Sequence, residues 1–129
     1  MDRYLLVMLG GAAGSALRYG ISLAIMNRWQ PWFPIATVVV NVTGCFLIGV
    51  VLTLLAERHL IDPRLGLLLA TGFLGGYTTF SSFAYETDTL AREGHPFPAL
   101  ANILLSVVLG WLAVRAGVLT ASFLKSSLH

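Results

Sequence analysis

The chain has 129 residues, 57% of them hydrophobic and only 11% charged, with a formal net charge of +2. Counted with Gly in place of Tyr, the apolar share is roughly 64%, against about 45–50% for water-soluble chains. This excludes an ordinary soluble domain, and so small a net charge on scattered basic residues excludes a nucleic-acid binder.

Four hydrophobic runs of membrane length use up most of the chain, which predicts one all-α transmembrane domain over 1–129. The first run covers about 4–26. It lacks a basic leader region and a cleavage site, so it reads as a retained helix rather than a signal peptide. Gly10, Gly14 and Arg18 share one face, where the small residues suit close helix approach. Arg18 has two readings: a side chain that snorkels to the interface, or a positive residue facing a watery vestibule.

Asn27 to Pro34 is a short connection whose Trp29 and Trp32 suit an interfacial belt. The second run, about 34–56, carries Thr37, Asn41 and Gly44 on one face. A carboxamide in mid-membrane must find partners, either a neighbouring helix or an ion that meets its NH₂ group. Cys45 cannot form an intramolecular disulfide, since it is the only cysteine, and reads as a small buried residue. The charged loop Glu57 to Arg64 follows, with Asp62-Pro63 as a cap and first-turn pair.

The third run, about 65–92, contains Gly72-Phe73-Leu74-Gly75-Gly76-Tyr77-Thr78-Thr79-Phe80-Ser81-Ser82-Phe83 and is expected to break over 75–79. Gly75-Gly76 offers the positive φ that helix C-termini use, and Thr78 and Thr79 offer oxygens to cap a new start. Unpaired backbone inside a bilayer is costly, so such a break persists only where protein, water or an ion satisfies it. Its first half ends in carbonyls and the negative dipole end; its second half begins with free amides and the positive end. Phe80 and Phe83 are neighbours on the restarted helix, and the positive edges of aromatic rings can touch an anion; both also suit plain packing.

After His95-Pro96-Phe97-Pro98 the fourth run covers about 98–123. Asn102, Ser106 and Gly110 form a stripe on one face, to be read as helix glue or as a solvated track. Lys125 to His129 is expected to be a quiet tail. Four crossings would put Arg3, Arg58, Arg64 and Lys125 on one side and Arg28 and Arg92 on the other. So weak a bias allows insertion both ways, and an antiparallel dimer follows as an expectation. His59 and His95 lie in connections and His129 at the end. No catalytic triad or metal-ligand spacing is evident, so an enzyme is not expected.

Three motifs together resemble the small dual-topology fluoride channels of bacteria, the Fluc (CrcB) family. They are Gly10-Gly11-Ala12-Ala13-Gly14-Ser15-Ala16-Leu17-Arg18-Tyr19, Asn41-Val42-Thr43-Gly44-Cys45-Phe46, and the third-run motif given above. The resemblance covers all four runs. It implies a multi-pass protein of the bacterial inner membrane, built as an antiparallel homodimer in lipid, with two pores passing fluoride out of the cell. It implies a fluoride pathway with Phe80, Phe83 and Asn41, and less directly Thr79, Ser81, Ser106 and Thr37. It implies Arg18 at an aqueous vestibule, and a structural Na⁺ held by main-chain carbonyls of Gly75 and Thr78. Asn102 departs from the pattern, since a hydroxyl-bearing or aromatic polar residue is expected there. A four-helix multidrug/proton antiporter is the rival reading. It needs a carboxylate inside the first helix, and none lies between Tyr4 and Met26.

Overall fold

The computed structural model describes residues 2–56 and 62–127. Residues 57–61, with Arg58 and His59 of the charged loop, lie outside the described residues, as does His129. Every regular element among the described residues is helical. Helix α1 is Arg3–Trp29 and α2 is Ile35–Leu55. The next stretch runs through α3 (Pro63–Gly66), a π-helical segment (Leu67–Leu74) and α4 (Gly75–Tyr77). It then breaks and restarts as α5 (Phe80–Arg92), and α6 (Pro96–Ser126) closes the chain.

The ends have local causes. The Asp2 carboxylate accepts from the Tyr4 amide at 3.3 Å and caps α1. The far end of α1 runs on to Trp29, past the expected stop near Met26, because Gln30 takes a left-handed φ of 43° and its amide reaches the Met26 carbonyl at 3.0 Å. Asp62 accepts from the Arg64 amide at 2.7 Å, with Pro63 in the first turn, as the Asp62-Pro63 pair predicts. Gly94, at φ 83°, ends α5. Pro96 and Pro98 fall in the first turn of α6, where a missing N–H costs nothing.

Two seams of backbone contact hold the helices. Along the first, Gly10 and Gly14 of α1 face Phe73 and Tyr77. A side chain at Gly10 would press on the Leu68 carbonyl, and one at Gly14 on the Phe73 carbonyl. Gly76 returns the contact, since a Cβ there would stand 3.0 Å from the Gly11 Cα and 3.0 Å from the Ser15 hydroxyl. Along the second, Gly117 of α6 sits on the Phe46 carbonyl of α2, Gly49 sits against Val114 and Val118, and Cys45 meets Gly110. These pairs advance together along both chains, so α2 and α6 run parallel.

The buried core is small: Val40, Leu74 and Tyr77, with Ile21, Ile48, Val51 and Phe73 packed around them. Large apolar side chains instead coat the outside, among them Met8, Tyr19, Trp111, Leu119 and Phe123. Three helices, Arg3–Trp29, Ile35–Leu55 and Pro96–Ser126, are long and apolar enough to cross a membrane. An outward-facing apolar surface on such helices is what a bilayer solvates.

Candidate functional site

Among the described residues, the stretch from Pro63 to Arg92 leaves the helical pattern at Thr78 and Thr79. Gly75 is still helical, at φ −63° and ψ −37°, so the expected left-handed stop at Gly75-Gly76 does not occur. The helix runs on to Tyr77, and the chain becomes extended only at Thr78 (φ −83°, ψ 158°) and Thr79 (φ −149°, ψ 112°). The reason lies in α1. Gly76 is glycine because the Gly11 backbone crosses over it, not because its φ is positive.

Several of the loose groups at the break have partners. The Thr79 amide donates to the Asn41 Oδ1 at 2.7 Å, and the Asn41 Nδ2 donates to the Thr79 carbonyl at 2.9 Å. The carboxamide thus stands in for the strand or helix turn that Thr79 lacks. The Thr79 hydroxyl accepts from the Ser82 amide at 3.2 Å and caps α5. Thr78 does not cap forward: its hydroxyl reaches back to the Leu74 carbonyl at 3.0 Å. The Gly76 carbonyl accepts from the Arg18 Nε at 3.1 Å and the Ser15 hydroxyl at 3.3 Å. A guanidinium at the carbonyl end of a helix opposes the negative end of its dipole. Neither reading of Arg18 foresaw this partner, 58 positions away.

A cavity of about 390 Å³ opens beside the break. Asn41, Thr79, Phe80, Phe83 and Ser106 line it, as do Gly75 and Thr78. The Phe80 and Phe83 rings stand 5.5 Å apart at 50°, with Phe80 79% exposed and Phe83 half-buried. The amides of the first turn of α5 begin here, so this wall carries positive partial charge. The carbonyls of Gly75 and Thr78 accept no hydrogen bond among the described residues. A Cβ on Gly75 would meet nothing within 4 Å. Among the described residues no group of three His, Cys, Asp or Glu could hold a metal. Any cation here would therefore be a hard one taking neutral oxygens.

Three named residues lie apart from this cavity. Arg18 is on the α1 side at Gly76. Ser81 is exposed, its hydroxyl 3.4 Å from that of Thr79. Thr37 is buried and donates to the Glu86 carboxylate at 2.7 Å. Glu86 is half-buried, and its carboxylate takes this hydroxyl.

Three further residues carry weight without having been singled out. Tyr77 is 4% exposed, stacks on Phe73 at 6.1 Å and shares a 2.8 Å hydrogen bond with the Thr43 hydroxyl. Its presence within an apolar run next to two threonines was a usable signal. Ser15 is part of the cap on Gly76, and Thr87 accepts from Asn102.

Comparison with known proteins shows the family. The family model for CrcB-like proteins, described as "Camphor Resistance (CrcB)", matches residues 5–118. A protein of Solibacter usitatus, named "Fluoride-specific ion channel FluC", is 54% identical over 119 residues, which is 92% of this chain and 98% of that one. Proteins of the same name are similar in Rhizobium meliloti, at 45% over 117 residues (91% and 94% of the two chains). In Acidobacterium capsulatum the figure is 43% over 120 residues (93% and 96%).

Proposed function

Because this chain belongs to the CrcB-like family, we propose that it is a fluoride-specific ion channel, a multi-pass bacterial membrane protein and not an enzyme. The observation that carries the reading is the break at Thr78-Thr79. It brings the amide end of α5, two aromatic rings, a carboxamide and the Ser106 hydroxyl to one cavity.

Four crossings fit the architecture. The helices α2 and α6 run parallel, so the chain between them must cross back once, and the broken helix is that crossing. Fluoride is small and tightly hydrated, so its path must replace water with hydrogen-bond donors. On this reading the free amides of Phe80 and Ser81, the Ser106 hydroxyl and the second Nδ2 hydrogen of Asn41 supply them. The Phe80 and Phe83 edges add contact without a formal charge that would trap the ion. Thr79 shapes this wall, while Ser81 and Thr37 extend the path to either side. Arg18 lends positive potential to a vestibule while holding Gly76.

The pathway works as a dimer with two pores. Two inverted copies in the membrane, meeting about a twofold axis at Gly75, would bring together the carbonyls of Gly75 and Thr78 from each chain. These four oxygens fit a structural Na⁺, which needs several hard ligands and no carboxylate. The open space over Gly75 and its unpartnered carbonyl support this assembly. The antiporter alternative has no carboxylate inside α1 to work with.

The test is efflux from liposomes holding the purified protein, followed with a fluoride electrode, with valinomycin balancing charge and chloride followed in parallel. Fluoride release without chloride release is the expected result. Release that demands a proton gradient, or that is equal for chloride, would refute it.

A further inference from the structure

The second polar level of the molecule lies one turn beyond the cavity. Carrying the Cys45–Gly110 pairing eight residues back along the parallel α2 and α6 sets Thr37 level with Asn102. Between them α5 presents two consecutive residues: Glu86 accepts from Thr37 at 2.7 Å, and Thr87 accepts from the Asn102 Nδ2 at 2.8 Å. Asn102 is only 1% exposed.

The hydrogen of Thr87 is already committed, since its hydroxyl donates to the Phe83 carbonyl at 2.8 Å. Thr87 can therefore only accept from Asn102, and this fixes which way the carboxamide points. The NH₂ group is turned to Thr87, and Oδ1 is left as the free face. Oδ1 has no hydrogen-bond partner among the described residues, and neither has the buried Oε2 of Glu86. Ser106, one turn further along α6 and on the cavity wall, has a buried hydroxyl in the same state.

A bare anion brings no proton to an acceptor. An amide oxygen can only accept, and a fluoride ion placed against it would add a second acceptor. Water supplies what both require, because it can donate to an oxygen and to an anion at once. We infer that Asn102 makes the Thr37–Glu86–Asn102 level a hydration step. Water held on Asn102 Oδ1 there separates fluoride from the protein, and direct contact begins only at Ser106 and the Phe80–Phe83 rings. Asn102 is thus a specificity residue that decides where along the path fluoride gives up its water. This rests on the fluoride-channel reading.

The first test is an experimental structure of the wild-type protein, grown in fluoride at a resolution that separates water from protein. A water within hydrogen-bond reach of Asn102 Oδ1 is expected. A carboxamide turned over, with Nδ2 free toward the track, would overturn the inference, as would Oδ1 bonded only to protein. The second test is fluoride efflux through Asn102→Leu, which keeps volume and removes both polar atoms. A loss of at least about tenfold is expected, because a hydrated ion meets an apolar wall. Wild-type flux in a folded Asn102→Leu protein would overturn the inference. Should the wild-type protein itself carry no fluoride, the channel reading fails, while the water on Asn102 is judged separately by the structure.

Discussion

The Asn41 side chain grips both backbone groups of Thr79, accepting from its amide at 2.7 Å and donating to its carbonyl at 2.9 Å. One residue thereby closes a gap that a bilayer would otherwise leave open, and it does so from a different helix.

Asn41→Leu keeps the volume but leaves both Thr79 groups unpaired. A buried unsatisfied group costs about 1–3 kcal/mol, so for two groups a loss of roughly 2–6 kcal/mol is expected. Thermal unfolding in detergent should register a lower Tm, and liposome efflux should fall with it. Asn41→Asp retains the acceptor for the Thr79 amide and loses the donor, so its Tm should lie between the two.

The two rings should matter for flux and not for folding. Phe80→Ile and Phe83→Ile each keep an apolar side chain on α5, and Phe80 is largely exposed in the single chain. Fluoride efflux is expected to drop at least about tenfold, an effect of about 1.4 kcal/mol on the barrier. Size-exclusion chromatography should find the assembly unchanged. Wild-type efflux through either variant would remove the rings from the mechanism.

Two adjacent glycines should respond oppositely. Gly76→Ala drives a methyl into the Gly11 backbone, so α1 must shift and expression or Tm should fall. Gly75→Ala meets nothing in its own chain. In the proposed dimer its effect should appear only in assembly, as dissociation at lower dilution. Equal damage to the Tm of both variants would contradict the packing described here.

Arg18→Leu leaves the Gly76 carbonyl with the Ser15 hydroxyl alone and removes the charge facing the helix dipole. Hydrogen bonds to charged groups contribute about 1.5–3 kcal/mol, and a Tm loss on that scale is expected. Arg18→Lys should recover part of it, since an ammonium carries the charge but not the fork. A vestibule charge without a structural task would leave Tm unaltered.

Much of this could be read from the chain because membrane helices are constrained by few rules. Long apolar runs announce helices, and Gly-Gly followed by Thr-Thr inside such a run announces a break. What could not be read depends on which residues meet across helices. Asn41 was visible as a polar group needing partners, yet its partner is 38 positions away. Gly75-Gly76 invited a left-handed stop, but crossing backbone, not local φ preference, selected glycine at 76. Thr37 and Glu86 meet across 49 positions, a pairing that a single sequence does not reveal. The π-helical segment left no local mark either, since Leu67 to Leu74 has the apolar character of any membrane helix.

That wide-turned segment has an angular consequence. Each α-helical residue advances the chain by roughly 100° about the axis, whereas wider turns advance it less. Were Leu67 to Leu74 wound as ordinary α-helix with no residue removed, the coil would tighten and everything downstream would be re-aimed by about one residue's turn. Gly76 would swing out of its seat on Gly11, and Thr78 and Thr79 would no longer face Asn41. The segment works as a phase adjuster, setting the bearing of the break relative to the helices on either side.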